Sequence, residues 1–81
     1  MEAPITRDER TVLQAIAEFL DTKPPTFPRE GDLVRATGLH MDDVTQAVRS
    51  LERLDYIVIN VPTLGGTNEI THITRTGQHH L

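Results

Sequence analysis

Between Pro24 and Val61 the chain reads PPTFPREGDLVRATGLHMDDVTQAVRSLERLDYIVINV. Two helical patterns, parted by a tight turn at Gly38, run straight into a strand, and this order constrains the fold more than any bulk property. The first pattern spans about 29–37, with Leu33, Val34 and Ala36 as its apolar residues. Pro28 suits a first helical position, and Gly31 weakens the helix in isolation. Gly38 stands where a left-handed cap is wanted, and Leu39 follows as the buried residue of the turn. The second pattern spans 41–54. Val44, Ala47, Val48, Leu51 and Leu54 recur at helical spacing, leaving Thr45, Gln46, Arg49, Glu52 and Arg53 on the opposite face. Asp42 and Asp43 lie in its first turn, where the helix dipole favours carboxylates.

At Tyr56 the period changes. YIVINV alternates, with Ile57, Ile59 and Val61 on one side and Tyr56, Val58 and Asn60 on the other. Pro62 to Asn68, with Gly65-Gly66, reads as a turn, and EITHIT as the return strand. Thr74 caps a last helical turn through Gln78. Upstream, Thr6 and Glu9 fit a capping box. The helix they open buries Val12, Leu13, Ile16, Ala17 and Leu20 and ends before Pro24-Pro25. The expectation is one domain over 1–81: helix 7–22, helix 29–37, helix 41–54, hairpin 56–74 and tail 75–81. It is mainly α, three helices with a two- or three-stranded antiparallel sheet. This is the grammar of a winged helix-turn-helix, which presents the helix over 41–54 to the DNA major groove.

Composition narrows the function classes. Without cysteine there is no disulfide, thiolate metal site or Cys nucleophile. Apolar runs fall short of the ~18 residues of a membrane span, and MEAPITRDER lacks the basic-then-apolar order of a signal peptide. A soluble, cytoplasmic protein with no membrane partner is expected. Only Phe19, Phe27 and Tyr56 are aromatic, so the core falls to Leu, Ile and Val, and a stacking platform for single strands is missing. The formal net charge of −4 opposes a duplex-binding role, which usually calls for a basic surface.

Two resemblances follow from these residues. PPTFPREGDLVRATGL is similar to the PPT-x-RE-I-x-x-x-x-G segment in the N-terminal DNA-binding domain of LexA-type repressors. GLHMDDVTQAVRSLERLDYI followed by THITRTG is similar to MarR-type winged-helix regulators, with their LT-x-x-G ending. Together they cover about Thr6 to Gly77. Carried over by position, the resemblance implies that Thr45, Gln46 and Arg49 reach base edges, Arg49 suiting guanine and Gln46 adenine. It also implies that Thr26, Arg29 and Arg53 approach phosphates, and that Met41 and Asp42 sit at the start of the reading helix. In the wing, Thr67 and Asn68, with Thr63, offer uncharged donors. The chain departs from both patterns. His40 replaces a small hydroxyl residue, and the wing PTLGGTNE lacks the basic tip of MarR-type wings. The LexA cleavage site and Ser-Lys protease are missing, and the residues after Gly77 do not accommodate a MarR-type dimerisation pair.

Each site residue also has a plain structural reading. The third-helix face is otherwise a solvated surface with local pairs, Asp42 and Asp43 stabilise a helix start, and Thr26 serves a turn. Asp42, as a reader, would accept from cytosine N4. His40, His72, His79 and His80 show no H-x-x-x-H spacing, so no metal and no cofactor is expected. No set of residues suggests catalysis, and the chain is not expected to be an enzyme. The function implied is sequence-specific duplex DNA binding by a small transcriptional regulator or accessory factor, for which useful affinity calls for a homodimer or a protein partner. The alternative is a protein-interaction winged helix without DNA contact. Arginines gathered on the third-helix side favour the former; acids with an apolar patch there favour the latter.

Overall fold

The computed structural model describes residues 4–62, 66 and 68–81. Its elements are α1 (Arg7–Leu20), α2 (Glu30–Thr37), α3 (Met41–Arg53), β1 (Ile57–Asn60), β2 (Glu69–Ile73) and α4 (Arg75–Gln78). The three main helices and the hairpin share one core of Val12, Leu13, Ile16, Leu33, Val44, Val48, Leu51, Tyr56, Ile57 and Ile70. Burying each of these large apolar side chains contributes about 1.5–3 kcal/mol.

The capping box opens α1 as the spacing predicts. Thr6 N–H donates to Glu9 Oε1 at 2.7 Å and Glu9 N–H donates to Thr6 Oγ1 at 3.1 Å. The helix ends at Leu20 rather than 22. The following loop folds back onto its last turn, where Thr26 N–H reaches Phe19 O at 3.1 Å and the Thr22 hydroxyl lies 2.9 Å from the same oxygen. Those bonds, rather than the prolines alone, terminate the helix.

At α2 the start also moves. Pro28 precedes the helix, Arg29 is its cap residue, and Arg29 N–H donates to Asp32 Oδ2 at 3.0 Å. Pro28 is fully buried, and its carbonyl accepts Ile70 N–H at 3.0 Å. That bond lies where a third strand would pair; among the described residues the sheet has two strands. Gly38, at φ 76°, closes α2 with its N–H on Val34 O at 2.9 Å. The left-handed region admits glycine without a Cβ penalty.

The end of α3 is built from its own orphan carbonyls. Leu54 is the cap residue, one short of the expected helix end. Asp55 follows at φ 63°, donating its N–H to Glu52 O, while Tyr56 N–H returns to Leu51 O, both at 2.9 Å. This is the Schellman arrangement. It turns Tyr56 inward to 2% exposure, whereas Val58 and Asn60, which simple alternation groups with it, are exposed. Val61 is corrected too: it lies beyond β1 and is 65% exposed. The strands pair Ile57 with Ile73, Val58 with His72, Ile59 with Ile70 and Asn60 with Glu69. Thr71 is the extra residue of a bulge.

The T-x-x-G ending then locks the hairpin to α3. Thr74 N–H donates to Tyr56 O at 2.9 Å, and its hydroxyl donates to Asp55 O at 2.6 Å while accepting Gly77 N–H at 3.1 Å. Gly77 is buried so closely that a Cβ would fall 2.2 Å from Tyr56 O. On the other side of this clamp, the rings of Tyr56 and His80 stack at 4.6 Å.

Candidate nucleic-acid interface

Asp42, Gln46, Arg49 and Arg53 form a ridge on α3, away from the buried Val44, Ala47, Val48 and Leu51, and all four are exposed. Steps of four, three and four residues keep them on one face. The ridge is graded in charge, acidic at its N-terminal end and basic at its C-terminal end, which also complements the helix dipole. Among the described residues, neither ion pair involves Arg49 or Arg53. Their guanidinium groups, five donors each and no acceptor, suit guanine edges or phosphate.

Thr45 flanks this ridge on the α2 side. It is half-buried, and its hydroxyl donates to the Glu30 carboxylate at the start of α2. Met41 is 48% exposed at the N-terminal end of α3. His40 caps that helix by backbone alone, with no side-chain hydrogen bond. The flank toward α1 is a polar groove lined by Thr6, Asp8, Glu9, Asp43, Gln46 and Ser50 among others. Acids therefore border the ridge on both sides.

The residues matched to phosphate contacts lie in more occupied surroundings. The Thr26 hydroxyl sits 3.0 Å from that of Thr22 within the turn after α1. Arg29 reaches Glu69 Oε1 at 3.3 Å, tying the start of α2 to β2, and Arg35 reaches Asp32 Oδ1 at 2.5 Å. Exposed pairs of this kind contribute about 0–1 kcal/mol, so a phosphate competes with either carboxylate on nearly equal terms. Asn68 is exposed at the foot of β2; Thr67 and Thr63 lie outside the described residues, as do Leu64 and Gly65 of the turn. Sequence reasoning missed Glu30 and Glu69, which meet partners 15 and 40 residues away. The Asp32–Arg35 pair, at i and i+3, was within reach of a local reading.

A second surface lies apart from α3. An open groove of about 590 Å³ is lined by Ala17, Leu20, Pro25, Phe27, Ile73 and Leu81, with Asp21, Thr71, His72 and Gln78 at its polar positions. Among the described residues no three His, Asp or Glu side chains gather to hold a metal ion, and no helix is long and apolar enough to cross a membrane.

Solved structures share this architecture. The adhesin competence repressor AdcR from Streptococcus pyogenes aligns with a TM-score of 0.73 at 17% identity, over 94% of this chain and 52% of its own. MepR from Staphylococcus aureus, in a structure of its DNA complex, aligns with a TM-score of 0.72 at 19% identity, over 94% of this chain and 58% of its own. A DNA-binding protein, so described as putative, from Ralstonia eutropha JMP134 gives 0.73 at 16% identity, over 94% of this chain and 91% of its own. The chain thus spans about half the length of AdcR and MepR. No family model and no curated protein matches the sequence. At these identities the likeness shows the fold alone, a winged helix.

Proposed function

We propose that this chain is a sequence-specific duplex-DNA-binding domain of a small cytoplasmic regulator, with α3 in the major groove and no enzymatic activity. The exposed ridge ending in Arg49 and Arg53, outside every ion pair among the described residues, carries this reading. The fold shared with MepR, solved as a DNA complex, supports it. Gln46 and Arg49 read bases, with Thr45 beside them and Asp42 and Met41 at the helix start. Arg53 approaches the backbone. Arg29 does so by exchanging Glu69 for a phosphate, and Thr26 and Asn68 add uncharged contacts. With so few cations one copy binds weakly, and two copies on neighbouring half-sites raise the effective concentration.

The test is fluorescence anisotropy against a randomised duplex pool at two salt concentrations. Arg49→Ala is expected to lose about 1–3 kcal/mol of specific binding and relax one base position. An unchanged site preference removes Arg49 from the reading role. The protein-partner reading is favoured by the acids flanking α3 and by the apolar groove beside α1. Absence of DNA binding at low salt by the folded chain would select it.

A further inference from the structure

We infer that Glu30 is a positioning residue for base recognition: it fixes Thr45 as a hydrogen-bond acceptor toward the DNA. This rests on the DNA reading above and gives it a chemical direction.

A threonine hydroxyl holds one hydrogen and two lone pairs, whereas an ionised carboxylate accepts only. In the bond between Thr45 Oγ1 and Glu30 Oε1 the hydrogen therefore belongs to Thr45 and points at Glu30. Charge assistance makes such bonds stronger than neutral ones, so rotating the hydroxyl to donate elsewhere is unfavourable. What Thr45 retains for a ligand is oxygen lone pairs and a methyl group. Both residues are half-buried, which holds the pair in place between α2 and α3.

The consequence is a polarity along the reading helix. Thr45 accepts, Gln46 does either, and Arg49 donates. Thr45 and Arg49 are four residues apart and share a strip of the helix surface. In the major groove an acceptor selects an exocyclic amine, cytosine N4 or adenine N6, while arginine selects guanine O6 and N7. Four residues of helix advance about 6 Å, close to two base-pair steps of about 3.4 Å. The geometry points to a half-site in which an amine-bearing base stands about two pairs from the guanine read by Arg49.

The experiment is selection from the randomised duplex pool with four proteins: wild type, Glu30→Gln, Glu30→Ala and Thr45→Val. Wild type is expected to prefer the amine-bearing base about two- to tenfold, the range of one net hydrogen bond. Glu30→Gln keeps a carbonyl oxygen for Thr45 and retains that preference, while binding all duplexes more tightly because one negative charge is gone. Glu30→Ala frees the hydroxyl to donate and levels the preference at this position alone. Thr45→Val, close in shape, also levels it and decides the matter if Glu30→Ala is unfolded. Retention of the preference in Glu30→Ala, in Thr45→Val, or loss of it in Glu30→Gln, overturns the inference while leaving DNA binding intact. A wild-type chain that binds no duplex removes the DNA reading and this inference with it.

Discussion

Replacing Gly77 by alanine places the smallest possible side chain where the fold has no room. The added Cβ would lie 2.2 Å from Tyr56 O and 2.9 Å from Ile73 Cγ2. A relaxed carbon–oxygen contact is about 3.3 Å or more, so α4 and the Tyr56 carbonyl must separate by about 1 Å. Three bonds share that junction: Thr74 N–H to Tyr56 O at 2.9 Å, the Thr74 hydroxyl to Asp55 O at 2.6 Å, and Gly77 N–H to Thr74 Oγ1 at 3.1 Å. Each contributes about 0.5–1.5 kcal/mol net. Against their loss stands a gain of about 0.4–1 kcal/mol, because alanine restricts the unfolded chain.

The balance is a destabilisation of about 0.5–4 kcal/mol, centred on about 2–3 kcal/mol and so within the usual range for overpacking. A domain of this size has about 4–12 kcal/mol in total, so the melting temperature should fall by about 10–20 °C. Thermal and urea melts followed by circular dichroism measure this, with the exposed neighbour Thr76→Ala as a control expected within ~0.5 kcal/mol of wild type. A Gly77→Ala melt within 3 °C or so of wild type would refute the clamp as drawn. Because the clamp ends on Tyr56 at the close of α3, the same variant should also raise hydrogen exchange at the base of the hairpin.

Leu51→Ala, at a fully buried position, should cost about 2–5 kcal/mol in a urea melt; a near-normal midpoint would mean that α3 does not present this face to the core. His40→Asn should stabilise the fold by up to about 1 kcal/mol by supplying the side-chain cap that α3 lacks, and an unchanged or lowered midpoint would count against an uncapped start. Glu69→Gln should release Arg29 to phosphate, tightening duplex binding and steepening the dependence of log K on log salt by about one phosphate contact. An unaltered salt slope would show that Arg29 stays away from the backbone.

The legible parts of the fold are those whose causes lie within one helical turn. Thr6 and Glu9 are three residues apart, and their capping box formed. Gly38 announced its own left-handed cap, and Val44, Val48 and Leu51 set the phase of α3. Pro28 misled because a local reading offers it a helix start, whereas its carbonyl is claimed by Ile70, 42 residues later. Tyr56 misled for a subtler reason. Asp55 adopts the left-handed conformation that glycine usually marks, so the turn that buries Tyr56 left little trace. The candidate site divides the same way. The ridge of Asp42, Gln46, Arg49 and Arg53 follows from helical spacing, while the acids that occupy Thr45 and Arg29 come from other elements.

Those acids bear on the net charge of −4, which at first opposes a DNA role. A duplex senses charges within roughly a Debye length, about 10 Å at 0.1 M salt. Asp21 lies about 20 Å along α1 from Asp8 at 1.5 Å per residue, in a groove that no α3 residue lines. That places about two Debye lengths between Asp21 and the Asp8 end of α1, which borders the groove beside α3. Glu30, Asp42 and Asp43 are not screened in this way, since Glu30 touches α3 and the other two are part of it. They weaken attraction to any backbone, and binding without sequence preference consists almost entirely of that attraction. In the proposed DNA reading base contacts survive the loss, because Arg49 and Gln46 would act by short hydrogen bonds to base edges. The acidic flanks thus reduce non-specific binding more than specific binding. If the proposed DNA reading holds, the charge balance predicts binding of low affinity and high selectivity, dependent on a second copy or partner for occupancy.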